Sequence, residues 1–296
     1  MKKLLRTLQV QFPYLLDAKF KLMRFLRNIL RIPFENDFYA LSLFPDVEDA
    51  LFLDVGANRG QSSDAILMKR KNIWIYLFEP NELLAEKLKG MFGHNERIVI
   101  NNFGLGDENT HGILVVPFYK KWMFDGLASF DEDKARNWLK GRVYFYSERF
   151  LTLHKSKCQI KILDELELAP FFIKLDIQGY EYRALKGGER TLRAHEPVLL
   201  VESPDDATIN YLNRLGYQPY AFTQGKFILG LKGKSNTFFM TEEKSYLVRN
   251  HIEHPKHGHS QASQGGKIRR SAQHSARLLL KTGELSWTGK SSNATY

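Results

Sequence analysis

The sequence predicts an α/β fold built on a doubly wound, mostly parallel sheet. Three apolar runs, at residues 50–55, 73–78 and 97–102, lack the polar alternation of half-exposed strands and therefore predict strands buried on both faces. Helix candidates follow the first two runs, at 62–71 and from Asn81 to about residue 91. Strand, helix, strand, helix, strand is the order expected of a doubly wound sheet.

The remaining elements follow from the same patterns. Further strands are predicted at 111–119, 157–163, 171–175 and 198–201, helices at 164–168, 179–192 and 208–215, and a terminal antiparallel hairpin from 227–231 and 237–240. The polar and aromatic stretch at 118–146 is predicted to be largely irregular. We expect one core domain at 46–249, preceded by a helical segment at 1–45 and followed by a basic, His- and Ser-rich tail at 250–296.

The charge is distributed unevenly along the chain. The 296 residues include 43 Lys and Arg against 33 Asp and Glu, which gives a formal charge of +10. Residues 1–33 carry +7 and residues 250–296 carry +5, so residues 34–249 carry −2. The body therefore lacks the basic surface expected of a nucleic-acid-binding domain. A hydrophobic content of 43% is enough for a packed core and excludes global disorder.

Cysteine content and the N-terminal residues bear on location. Cys158 is the single cysteine, which excludes an internal disulfide and fits a reducing compartment. The sequence has no uncharged apolar run of about 18 residues, so no membrane-spanning helix is expected. The start MKKLL is followed by polar and charged residues without a small-residue cleavage site, so a cleaved signal is not expected. We expect a cytoplasmic protein.

The N-terminal segment allows two interpretations. Apolar residues recur at helical spacing through residue 32, with Lys and Arg between them, and Pro13 is expected to separate two helices. Residues 1–33 could form a basic amphipathic segment that contacts an anionic membrane at its inner face. The alternative, which the large aromatic side chains favour, is a pair of cap helices whose apolar stripe packs on the core.

The C-terminal segment has a different composition from the body. From about residue 250 it consists mainly of Ser, Gln, His, Gly, Lys and Arg, which predicts a disordered tail. Its histidines have neither thiols nor a carboxylate pair nearby, so no metal site is expected. They are His251, His254, His257 and His259.

A glycine turn follows the first buried strand. Asp54, Gly56, Asn58 and Gly60 stand in the segment DVGANRG, and a tight turn that opens a helix beneath a ligand needs residues without bulk at the glycines. The spacing differs from the G-x-G-x-x-G of pyrophosphate-binding loops, which argues against NAD and FAD. The acid suits a ligand with a positively charged part, such as the methionine part of S-adenosylmethionine. The alternative is a plain strand-to-helix turn.

A second acid follows the next strand. Glu79 lies 25 residues after Asp54, where doubly wound folds place an acid that accepts hydrogen bonds from ribose hydroxyls. The loop after the third strand contains Asn102, Gly104 and Asp107. We expect adenine contacts there, because ligands bind at the carboxyl ends of successive strands.

Candidate catalytic residues lie further along the chain. Asp176 ends the fourth parallel strand, where a carboxylate can orient an attacking hydroxyl or accept its proton, or else cap the following helix. Glu181 and Glu202 are expected at the same edge as substrate contacts, although Glu181 could instead cap a helix. His154 is a second candidate base, for which a surface imidazole is the favoured alternative.

Seven motifs occur in the order LDVGANRGQ, LFEPN, NNFGLGD, GLASF, IKILDEL, IKLDIQGYE and VLLVE between residues 51 and 202. Together they resemble the FkbM-type methyltransferases, a branch of the class I S-adenosylmethionine-dependent enzymes. The resemblance implies a Rossmann-like sheet of seven strands with a reversed last strand, S-adenosylmethionine as donor, and transfer to a hydroxyl of a sugar, polyketide or other small molecule. The matching cofactor residues are Asp54, Gly56, Gly60 and Glu79, and Asp176 matches the acid of the fourth-strand motif.

The chain departs from the family pattern beside the presumed reaction centre. Gln178 stands where the family usually has Glu, so a charge is missing there. We expect Gln178 to contact the acceptor, a small molecule or glycan, together with aromatic residues of the 118–146 stretch. These aromatic residues could stack on a sugar ring or form a small core of their own. They are Tyr119, Trp122, Phe124, Trp138, Tyr144 and Tyr146.

Two other functions fit parts of the sequence. A nucleic-acid methyltransferase would use the basic ends to bind phosphates, but the body charge and the segment LDIQ, in place of an Asn/Asp-Pro-Pro-Tyr/Phe motif, argue against it. A non-catalytic S-adenosylmethionine-binding scaffold is indicated only by Gln178. No pair of carboxylates lies close enough in sequence to indicate a catalytic metal, and none is expected, although Asp164, Asp176 and Glu202 could converge in the fold.

Overall fold

A computed structural model describes residue 7 and residues 13–120, 122–124, 128–137 and 139–255, with the backbone alone for 13–21. The α-helices are α1 (Pro13–Leu30), α2 (Gln61–Lys69), α3 (Glu82–Phe92), α4 (Glu132–Asn137), α5 (Glu181–Lys186), α6 (Glu189–His195), α7 (Asp206–Arg214) and α8 (Glu242–Tyr246). Short 3₁₀ helices span Asn36–Leu43, Glu148–Phe150, Leu163–Leu166 and Arg249–His251.

The strands form two sheets. They are β1 (Leu51–Val55), β2 (Trp74–Phe78), β3 (Ile98–Asn101), β4 (Gly104–Gly106), β5 (Thr110–Tyr119), β6 (Trp122–Met123), β7 (Leu151–Ile162), β8 (Pro170–Leu175), β9 (Val198–Glu202), β10 (Gln218–Thr223), β11 (Lys226–Leu229), β12 (Asn236–Met240) and β13 (Ile252–Glu253). The larger sheet has the order β13-β11-β10-β12-β9-β8-β1-β2-β3, and the smaller has the order β4-β7-β5-β6.

The larger sheet confirms the predicted Rossmann-like α/β class. Strands β3, β2, β1, β8 and β9 run parallel to one another, and β12 is antiparallel to both β9 and β10. The expected seven strands with one reversed are therefore present, and β11 and β13 extend the sheet at one edge. Alternate residues of β1 enter different hydrophobic clusters, Phe52 in one and Leu53 in the other. Burial on both faces explains why the strand sequence is continuously apolar.

The predicted terminal hairpin is wrong. Strand β10 lies between β11 and β12 and pairs with both, so β11 and β12 are not neighbours. The pattern of β10 is weak because it is only half buried and contains Pro219, a residue typical of edge strands. The short strand β13 pairs in parallel with β11. Regular structure therefore continues past residue 250, where the sequence predicts the tail to begin. Residues 256–296, including His257 and His259, lie outside the described residues.

The single helix predicted over 179–192 is also wrong, because the structure has α5 and α6 there. Gly187 and Gly188 separate them. A Cβ at residue 187 would lie 1.9 Å from the backbone carbonyl oxygen of Gly106. The chain therefore needs glycine where it passes β4, and the helix is interrupted at that contact.

The smaller sheet contains part of the stretch expected to be irregular. Residues 118–146 include the end of β5, β6, α4 and a bridge between Ser129 and Val115. Strand β7 begins at Leu151, earlier than predicted. Its first ten residues pair with the whole length of β5. Buried Tyr119, Leu139 and Val143 form a small cluster with Phe124 and Tyr146 against them. Tyr119, Phe124 and Tyr146 thus belong to a small core, whereas Trp122 is buried outside this cluster and Tyr144 is exposed. Stacking on a sugar ring stays a prediction, and Trp138 lies outside the described residues.

Helix α1 differs from the favoured prediction. Its apolar side chains that the structure describes, from Leu22 to Leu30, are exposed and do not pack on the core. Arg24 faces the body instead and pairs with Asp64 of α2. Within the described residues, no helix is both long enough and apolar enough to cross a bilayer.

Candidate active site

The acids predicted from the sequence lie at or just after the carboxyl ends of parallel strands of the larger sheet. Asp54 lies in β1, Glu79 follows β2, Asp176 follows β8 and Glu202 ends β9. Parallel strands share one carboxyl edge, so the fold collects these side chains there. A cleft at this edge is lined by Gly56, Asn58, Glu79, Gly104, Asp176 and Gln178. The cavity in this cleft has a volume of about 100 Å³.

The glycine turn is sterically determined. Gly56 has φ of 81°, and a Cβ there would lie 2.0 Å from the backbone carbonyl oxygen of Asp176. Gly60 has φ of 76° at the N-cap of α2, and a Cβ there would lie 2.6 Å from a ring carbon of Phe92. Each position requires glycine for its φ and for its contact. The turn therefore brings the loop after β1 against the end of β8.

Asp54 is wholly buried beneath this turn. Its Oδ2 accepts hydrogen bonds from the hydroxyls of Ser62 and Ser63, each at 2.6 Å. Its Oδ1 lies 3.6 Å from Nζ of Lys174, the residue beside it in the β1–β8 register. The carboxylate ties β1 to α2 and β8. Direct contact of Asp54 with the positively charged part of the cofactor stays a prediction.

Glu79 is buried in the cleft wall and holds two loops in place. Its Oε2 accepts a hydrogen bond from the backbone N–H of Asn58 at 2.8 Å, and its Oε1 accepts one from the backbone N–H of Asn81 at 2.9 Å. Asn102 donates a hydrogen bond to the backbone carbonyl of Glu79 at 2.9 Å. A carboxylate oxygen can accept more than one hydrogen bond, so this arrangement leaves capacity for the ribose hydroxyls that the sequence predicts.

The predicted cofactor residues in the loop after β3 lie in two different places. Gly104 lines the cleft, as expected for a residue near the adenine. The Asp107 carboxylate lies 3.3 Å from Nζ of Lys186 and 3.8 Å from a guanidinium nitrogen of Arg183, both in α5. The structure thus places Gly104 and Asn102 near Glu79, and Asp107 against a helix.

Lys174 is the buried cation at the centre of the site. Its Nζ lies 3.4 Å from Oδ2 of Asp176 and 3.3 Å from the backbone carbonyl oxygen of Gly56. Burial disfavours the charged ammonium, but Asp176 and Asp54 outweigh this effect and raise the pKa of Lys174. Lys174 was not predicted as a site residue, although it lies in β8 two residues before Asp176, a spacing that puts both side chains on one face of an extended chain.

Asp176 and Glu202 form a carboxylate pair with opposite pKa shifts. Burial opposes ionisation of Asp176, but Lys174 and hydrogen bonds with Glu202 and Gln178 outweigh it and hold the pKa of Asp176 below its usual value. The hydrogen bond with Asp176, followed by burial and the charge of Asp176, raises the pKa of Glu202 to about 8. The pair therefore keeps one proton at neutral pH.

Gln178 joins the two carboxylates. Its Nε2 lies 2.9 Å from Oδ1 of Asp176 and 3.1 Å from Oε2 of Glu202. A neutral donor at this position stabilises the negative charge of the pair, whereas a Glu would add a third carboxylate. The departure from the family pattern therefore has a structural role in this chain.

Three other predicted residues lie in different surroundings. Glu181, the first residue of α5, accepts hydrogen bonds from the backbone N–H groups of Ile177 and Gly179, so it fixes the loop before the helix, and its predicted contact with the substrate stays a prediction. His154 is exposed on β7 with its ring 4.4 Å from that of Phe118. Trp122 is buried, with the Arg59 guanidinium 5.3 Å from its ring.

Two acids from a distant segment approach the same edge. Asn236 of β12 donates hydrogen bonds to Glu35 at 2.8 Å and to Asp37 at 2.9 Å. Burial raises the pKa of both acids, and the charge of Glu35 contributes to the shift of Glu202. No motif in the sequence indicates this contact. Within the described ranges, no group of three or more His, Cys, Asp or Glu is placed to hold a metal ion.

Residues from the stretch after β6 close the other side of the cleft. Ser129 and Phe130 line it together with Tyr180, and the rings of Phe130 and Tyr180 are 5.0 Å apart. The sequence motifs GLASF and GYE contain these residues, so the motifs indicated the region without indicating that the two rings meet. The cleft therefore combines the buried carboxylate of Glu79 on one side with aromatic surface on the other.

A family model described as the methyltransferase FkbM domain matches residues 54–219, more than half of the chain. No functionally curated protein matches the sequence. Among solved structures, a methyltransferase FkbM from Methylobacillus flagellatus is similar at 18% identity with a TM-score of 0.43. The match covers 67% of this chain and 47% of that protein, so this chain spans about half of its length.

Other solved structures are similar at lower identity. An rRNA methylase from Streptococcus thermophilus matches at 11% identity and a TM-score of 0.38, over 71% of this chain and 95% of that one. An S-adenosylmethionine-dependent O-methyltransferase from Thermotoga maritima matches at 14% identity and a TM-score of 0.33, over 69% and 63%. With TM-scores below 0.5, these matches do not discriminate between acceptors, and the family assignment depends on the family model.

Proposed function

We propose that this chain, which belongs to the FkbM methyltransferase family, takes a methyl group from S-adenosylmethionine and transfers it to a hydroxyl of a sugar, a glycan or another small molecule. The observation that carries the proposal is the position of Asp176. Its carboxylate lies in the same cleft as Gly56 and Glu79 and is ionised, partly exposed and next to a second carboxyl group. The site therefore offers a proton acceptor beside the cofactor residues.

When bound, S-adenosylmethionine supplies a methyl group on a positively charged sulfur, which an oxygen nucleophile can attack directly. The protein has to bind and orient the acceptor, since correct positioning lowers the barrier of a two-substrate reaction by several kcal/mol, up to about 7–11 kcal/mol. Asp176 accepts the hydrogen bond of the acceptor hydroxyl and fixes its direction. The hydroxyl proton then passes to Asp176, the ionised member of the pair, because Glu202 already holds a proton at neutral pH.

The depressed pKa of Asp176 favours orientation over full proton removal. A carboxylate already bound by Lys174 and Gln178 is a weak base, whereas Glu202 binds a proton more tightly. In the proposed mechanism Asp176 contacts the hydroxyl and takes its proton late in the transfer, while the protonated Glu202 behind it is hydrogen-bonded to Asp176 and holds that carboxylate in position. His154, exposed on β7, is the alternative base.

The test compares Asp176→Asn with two other variants, using methyl transfer to a panel of sugars and calorimetry with S-adenosylhomocysteine. We expect D176N to lose about 10²–10⁴-fold in turnover while its affinity for S-adenosylhomocysteine stays near that of the wild type. The matched control is D133N, which changes an exposed carboxylate of α4. H154A tests the alternative base.

Unchanged turnover in D176N would show that the role assigned to Asp176 is wrong, and a large loss in H154A would transfer that role to His154. Methyl transfer to RNA, with an affinity that falls steeply with salt, would replace the small-molecule acceptor by a nucleic acid. Binding of S-adenosylhomocysteine without transfer to any acceptor would favour a scaffold.

A further inference from the structure

Helix α1 exposes its apolar side chains to solvent. The exposed fractions are 56% for Leu22, 60% for Phe25, 61% for Ile29 and 63% for Leu30. At about 100° per residue these four side chains fall on one side of the helix. A helix on the surface of a soluble domain normally buries its apolar side, so α1 is oriented the other way round.

The polar side of α1 faces the protein. Arg24 donates to both carboxylate oxygens of Asp64, at 2.5 and 2.9 Å, and its guanidinium lies 5.0 Å from the ring of Phe92. Arg27 lines the groove between the helix and the body, which has a volume of about 650 Å³. The ion pair and the cation–π contact hold the helix with its apolar side outward.

The segment that contains the exposed apolar side is strongly basic. Residues 1–33 carry +7. Among the described side chains, Arg27 of α1 and Lys87 of α3 line the groove on the body side of the helix. An exposed apolar side on a basic helix is the pattern of helices that lie in the interface of an anionic bilayer. We propose that α1 docks on an anionic lipid surface, with Leu22, Phe25 and Ile29 inserted and the cations of the basic segment at the headgroups.

The charges favour a lipid surface over other occupants of this face. A second copy of the chain, meeting the first through the same face, would bring two strongly basic segments together. The C-terminal segment, residues 250–296, carries +5, so its charge has the same sign as that of residues 1–33 and would be repelled by them. Anionic phospholipids match both the apolar side and the cations, and each Lys or Arg near such a surface strengthens binding severalfold.

The experiment is flotation of the full-length chain with vesicles of phosphatidylcholine alone or phosphatidylcholine mixed with phosphatidylglycerol. We expect binding to the mixed vesicles to be at least about tenfold tighter than to phosphatidylcholine, and to weaken with salt. The test variant is L22Q/F25Q/I29Q, which should bind at least about a hundredfold more weakly than the wild type. The control variant, I113Q/L231Q/Y246Q, replaces three exposed apolar residues outside α1 and should bind as the wild type does.

Affinity for S-adenosylhomocysteine and circular dichroism establish that both triple variants are folded. Equal binding to the two vesicle types, equal loss in both triple variants, or no binding by the wild type would each contradict the proposal. A concentration-dependent dimer that L22Q/F25Q/I29Q dissociates, without vesicle binding, would identify a second copy as the occupant. Retention of methyl transfer in the test variant would separate lipid docking from the proposed chemistry.

Discussion

The carboxyl edge of the larger sheet and helix α1 use charge in opposite ways. At the sheet edge, Lys174 is buried among Asp54, Asp176 and a backbone carbonyl, and the carboxylates are held by further hydrogen bonds. In α1, Arg24 makes one partly exposed ion pair while the apolar side chains of the helix face solvent. At the sheet edge the buried charges are paired with one another, whereas α1 leaves apolar surface exposed to solvent.

The difference shows how burial determines what an ion pair does. A buried charge must be compensated, so removing one partner at the sheet edge leaves other charges without a counterion. A half-exposed pair is screened by water and contributes little to stability, but it can still select one orientation of a helix. The sheet edge is thus a rigid part of the fold, and α1 is held weakly.

The largest effect is expected for Lys174→Met. This change leaves the buried Asp54 and the partly exposed Asp176 without their cation, and breaking a buried ion pair typically costs about 3–5 kcal/mol of unfolding free energy. The measurement is chemical denaturation. The control is Lys234→Met, because Lys234 is exposed and should tolerate the change. A loss under about 1 kcal/mol would mean that water or rearrangement compensates the two acids.

An intermediate effect is expected for Glu202→Gln, and it depends on pH. The folded protein raises the pKa of Glu202 to about 8, so between its ordinary value and pH 8 the folded state binds a proton that the unfolded state releases. Stability from this group is complete below its ordinary pKa and is lost as pH rises through 8. The neutral amide removes this loss.

The unfolding free energy of E202Q should therefore decline less than that of the wild type between pH 5 and pH 9. We expect a difference of about 1–2 kcal/mol, below the full linkage value because Glu202 is partly solvated. Denaturation curves at both pH values measure it, with the exposed Glu108→Gln as control. Parallel pH profiles for wild type and E202Q would contradict the coupling of Glu202 to Asp176.

The smallest effect is expected for the Arg24 and Asp64 pair. Arg24→Met should leave global unfolding nearly unchanged and should raise hydrogen exchange in α1 by no more than about fivefold, since such pairs contribute up to about 1 kcal/mol. A double-mutant cycle with Asp64→Asn measures the coupling. A coupling as large as the Lys174 effect would show that α1 is as firmly held as the sheet edge, and the contrast between the two regions would fail.

Local patterns predicted much of the site. Strand hydrophobicity indicated β1, β2, β8 and β9, and the order of strands and helices indicated that their carboxyl ends share an edge. Gly56 and Gly60 were predicted because a tight turn needs them, and Glu79 and Asp176 because of their places after strands. Contacts between residues far apart in the sequence could not be predicted. Glu35 accepts a hydrogen bond from Asn236, although about 200 residues separate them along the chain. Such a contact depends on packing, which leaves no periodic signal.

The sequence by itself determined the α/β class, the strand ends that carry the acids and the amphipathic character of α1, because backbone periodicity and residue type are local properties. Only the tertiary structure decided that β10 separates β11 from β12, that Lys174 joins Asp54 to Asp176, and that α1 turns its apolar side outward. Periodicity defines two sides of a helix. Which side faces the body depends on partners such as Asp64, whose position is fixed by another part of the chain.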